Sequence, residues 1–282
     1  MRTRVFTAAV AAVLSGIPAM AMAQSRPLMT QDPEPVKPGE MLIDFGASYS
    51  RDAVYPLSGL TGNLVRAGTF DLSFGVGPVA EIQLSGGVHD ILWITQRDPS
   101  APLAGSLTVT GGITDDFADA SIGAKVRLLH QKGARPSLGI RFTTRLPNEK
   151  HDSGLGLDTT DFAFGFVSGK TMNRWRVIGN VGFAILQDPV RDGIQNDVVT
   201  FGVAITRAMG GFDLAVDANG RADPRRTIPV GTEPRSTLLV GIRVPKHIVR
   251  YDASVAFGLT SHDPRWTIGG GVTWVWHAFD VK

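Results

Sequence analysis

His151-Asp152-Ser153 sets a histidine and a serine two residues apart. At that spacing an imidazole can take the hydroxyl proton and leave the oxygen nucleophilic, which is the chemistry of ester hydrolysis. The triplet lies in a polar stretch between Lys150 and Gly154, without the apolar alternation that would fix it against a substrate. A coincidental loop sequence therefore accounts for it better than a catalytic pair. The histidines at His89, His130, His247, His262 and His277 are scattered without metal-ligand spacing, and the chain contains no cysteine. The glycine-rich stretches 111–116 and 269–271 have no helix after them, which a phosphate cradle requires. No catalytic group, metal site or cofactor is expected, and the chain reads as a non-enzyme.

Charge placement is more informative. Lys125, Arg127, Arg141, Arg145, Arg176 and Arg243 each stand at one member of an alternating polar–apolar series, as do Asp161, Asp213, Asp217 and Asp252. Across a pore, two such signs would orient dipolar or anionic solutes. They could equally pair with each other and fill a narrow interior. A second group, Asp197, Asn219, Arg221, Glu233 and Arg235, falls near segment ends. It would either form a polar gate at an outer mouth or pin the loops there.

The elements that must carry these residues follow from their period. In "GLGLDTTDFAFGFVSGK", Phe162, Phe164 and Phe166 recur at every second position, with Asp161, Ala163 and Gly165 between. A period of two is that of a strand, whose side chains alternate between faces. Eleven further segments repeat the pattern, from Ile43-Phe45-Ala47-Tyr49 to Trp266-Ile268-Val272-Trp274-Trp276, giving twelve in all. Connections alternate as well: those near 77–78, 131–136, 171–173, 209–211 and 246–249 are short. Those over 52–63, 95–116, 147–156, 188–194 and 223–232 are mostly longer.

An even strand number, short turns at one end and longer loops at the other predict a transmembrane, antiparallel up-and-down β-barrel of about 12 strands, of outer-membrane type. A soluble sandwich or ligand-binding barrel would point its apolar face inward. The polar face here is rich in Gly, Ala and Ser, which the inside of a closed barrel needs and a solvated face does not. Trp175, Tyr251, Trp274 and Trp276 gather at the short-turn end, and Tyr49 and Trp266 at the other, as interfacial girdles would. The phenylalanines then face acyl chains and Asp161 the lumen. Trp93 is out of phase with its strand, which predicts either a bulge or a different strand boundary there.

Residues 1–23 begin Met1-Arg2-Thr3-Arg4, continue through an apolar run to Ile17 and end in Ala21-Met22-Ala23. They read as a secretory signal peptide, which places the chain in the outer membrane by export. Residues 24–40 hold four prolines and are expected to form a flexible, extended periplasmic tail, leaving 41–282 as the barrel. The full chain has 28 basic and 26 acidic residues; without Arg2 and Arg4 the signs balance, so no nucleic-acid partner is implied.

The blocks "LPNEKHDSGLGLDTTDFAFGF", "NVGFAIL", "QNDVVTFGVA", "VDANGR", "GTEPRSTLLVGIR" and "DPRWTIGGGVTW" resemble a family of outer-membrane transporters. That family is related to the barrels linked with meta-pathway phenol degradation. The chain departs from it at Pro147-Asn148-Glu149, where Pro-Thr-Gly is usual. The resemblance implies passive passage of small molecules, apolar or aromatic compounds among them, with membrane lipid as the surrounding partner. The alternatives are a non-conducting structural barrel and a lipid-acting barrel hydrolase.

Overall fold

The computed structural model describes residues 26–148, 150–246 and 248–278, without the side chain of His151. The expected signal peptide lies outside the described residues, as do His247 and the last four positions.

Twelve strands form one closed antiparallel barrel in sequence order, β1 (Glu40–Tyr55), β2 (Leu60–Gly75), β3 (Ala80–Arg97), β4 (Ile113–Leu129), β5 (Ser137–Leu146), β6 (Asp161–Met172), β7 (Trp175–Gln187), β8 (Gln195–Ala208), β9 (Asp213–Ala222), β10 (Arg235–Lys246), β11 (Val249–Gly258) and β12 (Trp266–His277). The seam is a continuous β1–β12 ladder running from Glu40 opposite His277 to Arg51 opposite Trp266. Closure leaves no sheet edge, so the backbone groups of the wall are paired within it.

The outer face is apolar. Phe45, Ile82, Leu84, Ile122, Phe142, Phe166, Val181, Phe201, Val203, Ile242 and Phe257 are all exposed. Phe142, Phe164 and Phe183 stand side by side across β5, β6 and β7, and the last two have ring centroids 5.8 Å apart. Such a surface suits acyl chains and is unsuited to water. Exposed Trp175, Tyr251, Trp274 and Trp276 ring the short-turn end, and Tyr49 packs on Trp266 at the other, at 5.5 Å between centroids.

Bulges break the simple alternation in β1 to β4. Gly68, with φ +68°, is an extra residue in β2 between the pairs Gly46–Thr69 and Ala47–Ala67. In β1 the register slips between Ser50 and Ala53, where Asp52 has φ 55°. In β3 it slips between Gly87 and Asp90. An added residue reverses the facing of everything beyond it. Trp93 therefore turns outward while Leu92 and Leu64 turn inward, which resolves the phase anomaly read in the sequence. With Ala53, Leu60 and Leu155 these residues form a buried apolar cluster inside the upper barrel. The same bulged β1 and β2 continue to Tyr55 and from Leu60, so the loop expected at 52–63 shrinks to the turn 56–59.

The tail expected to hang flexibly in the periplasm does not do so. Residues 26–39 are extended and irregular, as their prolines require, but they lie within the barrel. Leu28 and Val36 are buried, as are Thr30 and Asp32. Their partners come from strands on opposite sides of the wall, and one short segment can reach all of them only through the lumen. Charge and hydrogen-bond complementarity to that wall, rather than local propensity, fixes the segment.

Candidate functional site

The site is the lumen. Its lower half, toward the short turns, is occupied by residues 26–39. Starting from β1, Gly39 donates its backbone N–H to the Gly75 carbonyl at 3.0 Å, and Val36 N–H donates to Glu81 Oε2 at 2.6 Å. Glu34 pairs with Arg127, and Asp32 receives both ends of the Arg176 guanidinium, from Nη2 at 2.5 Å and from Nε. Asn180 exchanges two bonds with the backbone of Gln31, at 2.6 and 2.8 Å, as a neighbouring strand would. Leu28 inserts among Ile178, Ala204 and Ala215. The innermost residue, Arg26, reaches Asp252 at 3.2 Å and Thr69 at 3.4 Å.

Small residues make room for this ring. A Cβ on Gly46 would sit 2.6 Å from the Arg26 guanidinium, and one on Gly202 would sit 2.5 Å from Thr30 Oγ1. The glycine-rich polar face of the strands is thus explained, since the inside of the wall must admit a second layer of backbone.

Around the ring, charges are mostly matched. Lys125 and Glu81 are both fully buried and lie 3.0 Å apart. Arg243 pairs with Asp213 at 2.7 Å, and Arg141 Nε donates to Gln83 Oε1 at 2.7 Å. Such pairs add little net stability, yet removing one member would strand a charge in a desolvated place.

Above the ring lie two cavities. The inner one, about 580 Å³, is floored by Arg26, Pro27, Leu28 and Met29 and walled by Leu64, Leu239, Thr237 and Ser254. The outer one, about 350 Å³, opens among Leu57, Leu155, Leu157, Leu186, Val230, Arg145, Asp161 and Arg221. Tyr55 and Arg235 line both, so these two side chains stand where the cavities meet. Loops 98–112 and 147–160 fold over one side of the mouth. Leu107 packs on the apolar cluster, Ser58 Oγ donates to the Gly154 carbonyl at 2.7 Å, and Thr114 Oγ1 donates to the Ser153 carbonyl at 2.7 Å.

Outside the strands, loops 188–194 and 223–234 are held by carboxylates. Asp188 accepts from Val190 and Arg191 N–H and from Arg191 Nη2 at 2.6 Å. Burial opposes its ionisation, but the Arg191 guanidinium and these N–H groups win and hold its pKa at about 2. The Arg225 guanidinium, first among several donors, likewise holds Asp223 well below the usual carboxylate range. Arg225 also donates to Asn196, whose amide reaches Asp188, so the two loops share one network.

The residues read as lumenal do face inward, in two groups. Lys125, Arg127, Arg141, Arg176, Asp213, Asp217, Arg243 and Asp252 surround or bind the ring. Arg145 and Asp161 instead form a salt bridge at 2.5 Å on the outer cavity, with Asp119 at 2.9 Å on the other side of Arg145. At the mouth, Arg221 and Arg235 line the cavity, Asn219 donates to Asp217, and Glu233 accepts the Gly231 N–H. Asp197 is a correction. It is exposed on the outer face in phase with Val199, and Asn196 is the buried neighbour that takes the inward place. The sequence reading missed Arg26, Asp32 and Glu34, whose partners lie far away in the chain.

No family model matches this chain, and no curated protein matches it. Among solved structures, it is similar to the translocator domain of the autotransporter NalP from Neisseria meningitidis, at 12% identity over 95% of this chain and 92% of that one, with a TM-score of 0.51. Looser likenesses reach the toluene transporter TodX of P. putida (10% identity, 86% and 90% covered, TM-score 0.39). The outer membrane phospholipase A of Escherichia coli is another (11% identity, 85% and 93% covered, TM-score 0.46). The first likeness establishes the fold: this is a twelve-stranded barrel of outer-membrane type. The other two carry no argument about this chain.

Proposed function

We propose that the chain is a passive outer-membrane channel for small molecules, exported by its N-terminal signal peptide and held shut at rest by residues 26–39. The observation that carries this reading is the sequence of spaces. An outer cavity meets an inner one at Tyr55 and Arg235, and the inner one is floored by Arg26 to Met29. That floor is chain held by side-chain bonds from the wall, without strand pairing, so it can leave without unfolding the barrel. Solutes with apolar bodies, aromatic ones among them, fit the leucine-rich upper lining; the family resemblance points the same way. A non-enzymatic role is supported by Ser153, which is buried and whose hydroxyl donates to the Lys150 carbonyl at 2.7 Å and accepts from Leu155 N–H at 3.2 Å.

A reversible lock tests the channel. Thr30 Cβ lies 3.4 Å from the Cβ position of Gly202, close to the separation a disulfide spans, and the chain has no cysteine to interfere. The variant Thr30→Cys/Gly202→Cys should be silent in planar bilayers when oxidised and regain discrete conductance steps when reduced. Conductance that is equal in both redox states would refute a moving plug.

The buried ion pairs of the ring favour one second reading, a barrel that never conducts and serves the envelope structurally. Silence of the reduced variant and of the wild type, in protein shown to be inserted, would select it.

A further inference from the structure

Of the cations that line the two cavities, Arg26, Arg66 and Arg145 each pair with a carboxylate, and two do not. Arg221 and Arg235 are cross-strand partners on β9 and β10, and both line the outer cavity. Arg221 donates to the carbonyls of Gly231 at 2.8 Å and Glu233 at 3.3 Å, and Arg235 donates to the Val54 carbonyl at 2.9 Å. Among the described residues, neither forms an ion pair with a carboxylate, and Arg235 Nε is buried with no acceptor at all. Glu233 stands near, but both its oxygens are turned onto the Gly231 N–H. Asp161, the carboxylate in the cavity lining, is engaged by Arg145.

Two adjacent guanidiniums satisfied only by carbonyls stand side by side in a partly desolvated place, with no anionic oxygen hydrogen-bonded to either. A guanidinium fork matches an anionic oxygen pair, and an unused buried N–H is costly until an acceptor arrives. Aliphatic side chains share the lining with them, among them Leu57, Leu155 and Val230. The cavity volume falls in the range of small-molecule sites.

We propose that the outer cavity is a binding site for small organic monoanions with an apolar body, the carboxylate held by Arg221 and Arg235 and the body laid against the leucines. This names the substrate class of the channel and rests on that reading for its role in transport. Arg235 would then act at the junction of the two cavities, handing the anion inward from the outer site.

The test is equilibrium binding to the full-length barrel purified in detergent micelles, by calorimetry, with benzoate, benzyl alcohol and inorganic phosphate as probes. Benzoate should bind at least tenfold more tightly than either of the others. Arg221→Gln and Arg235→Gln should each abolish that preference, Arg235→Lys should keep part of it, and Arg135→Gln, on the exposed short turn 131–136 at the other end of the barrel, should leave it intact. Folding of each variant is checked by its heat-shifted electrophoretic mobility. Benzyl alcohol binding as well as benzoate to the wild type would overturn the anion site, and phosphate doing so would overturn its apolar half. A benzoate preference that survives Arg221→Gln/Arg235→Gln would overturn the residue assignment. Binding in micelles requires no conduction, so a barrel that binds benzoate yet stays silent in bilayers would refute the channel and leave this site standing.

Discussion

Asp217 on β9 holds Met29 and Thr30 by three bonds. Its Oδ2 accepts the backbone N–H of Met29 at 2.7 Å and of Thr30 at 2.8 Å, and its Oδ1 accepts the Thr30 hydroxyl at 2.7 Å. Asp217 is fully buried. A carboxylate from the wall thus does for an irregular segment what a strand would otherwise do.

Replacing Asp217 with Ala should orphan two backbone donors and one hydroxyl. Each stranded buried group costs about 1–3 kcal/mol, and the ring can avoid this only by leaving its seat. The expected result is a lower urea midpoint in detergent together with more frequent conductance steps. Asp217→Asn, which keeps an acceptor, should be milder in both.

Gly202→Ala probes the same contact sterically. The new methyl would press on Thr30 Oγ1 and rotate the hydroxyl away from Asp217. Raised open probability in bilayers, with an unchanged barrel by circular dichroism, is the expected outcome. A variant indistinguishable from wild type in conductance would mean Thr30 does not fasten the ring.

Facing can be tested on β6. Phe164 packs outside against Phe166 at 5.5 Å between centroids, while its neighbour Ala163 points inward. Phe164→Arg should cost about 2–4 kcal/mol of insertion stability if it sits at mid-membrane, measured by folding into lipid vesicles under urea. Ala163→Arg should be far better tolerated, and equal losses would reject the assignment.

Acid should loosen the outer loops. Asp188 and Asp223 both have folded pKa values below the ordinary 3.8. A depressed pKa contributes stability above the unfolded value and loses it as pH falls through the folded one. For Asp188 the window is from about 4 to about 2. A spin label at Ile228 should therefore stay immobile from pH 8 to 5 and gain mobility below about 4. In Asp223→Asn it should already be mobile at neutral pH.

The strands and their facing were legible because a period of two survives any tertiary detail. Even the bulge in β3 announced itself, through Trp93. Asp197 was misassigned because one residue of phase at a strand end decides between lipid and lumen, and the alternation is weakest there. The ring was illegible for a different reason. Residues 26–39 have the prolines of a linker, and their wall partners lie 43 to 226 residues away: Thr69 and Asp252 for Arg26, Asp217 for Thr30, Arg176 for Asp32, Arg127 for Glu34. No local pattern encodes such complementarity. Nor could the bare count of lumenal charges show that, among the described residues, Arg221 and Arg235 line a cavity without a direct ion pair, since that depends on which carboxylates the other arginines have already taken.

Because residues 26–39 touch the wall from β12 and β1 around through β11, β10, β9, β8, β7, β4 and β3, they brace the lower cross-section like an internal hoop. A shut barrel of this kind resists ovalisation; once the hoop is withdrawn, the same wall becomes compliant. On the channel reading proposed above, lateral pressure in the surrounding bilayer would act on the open form more than on the closed one, tying permeability to the mechanical state of the membrane.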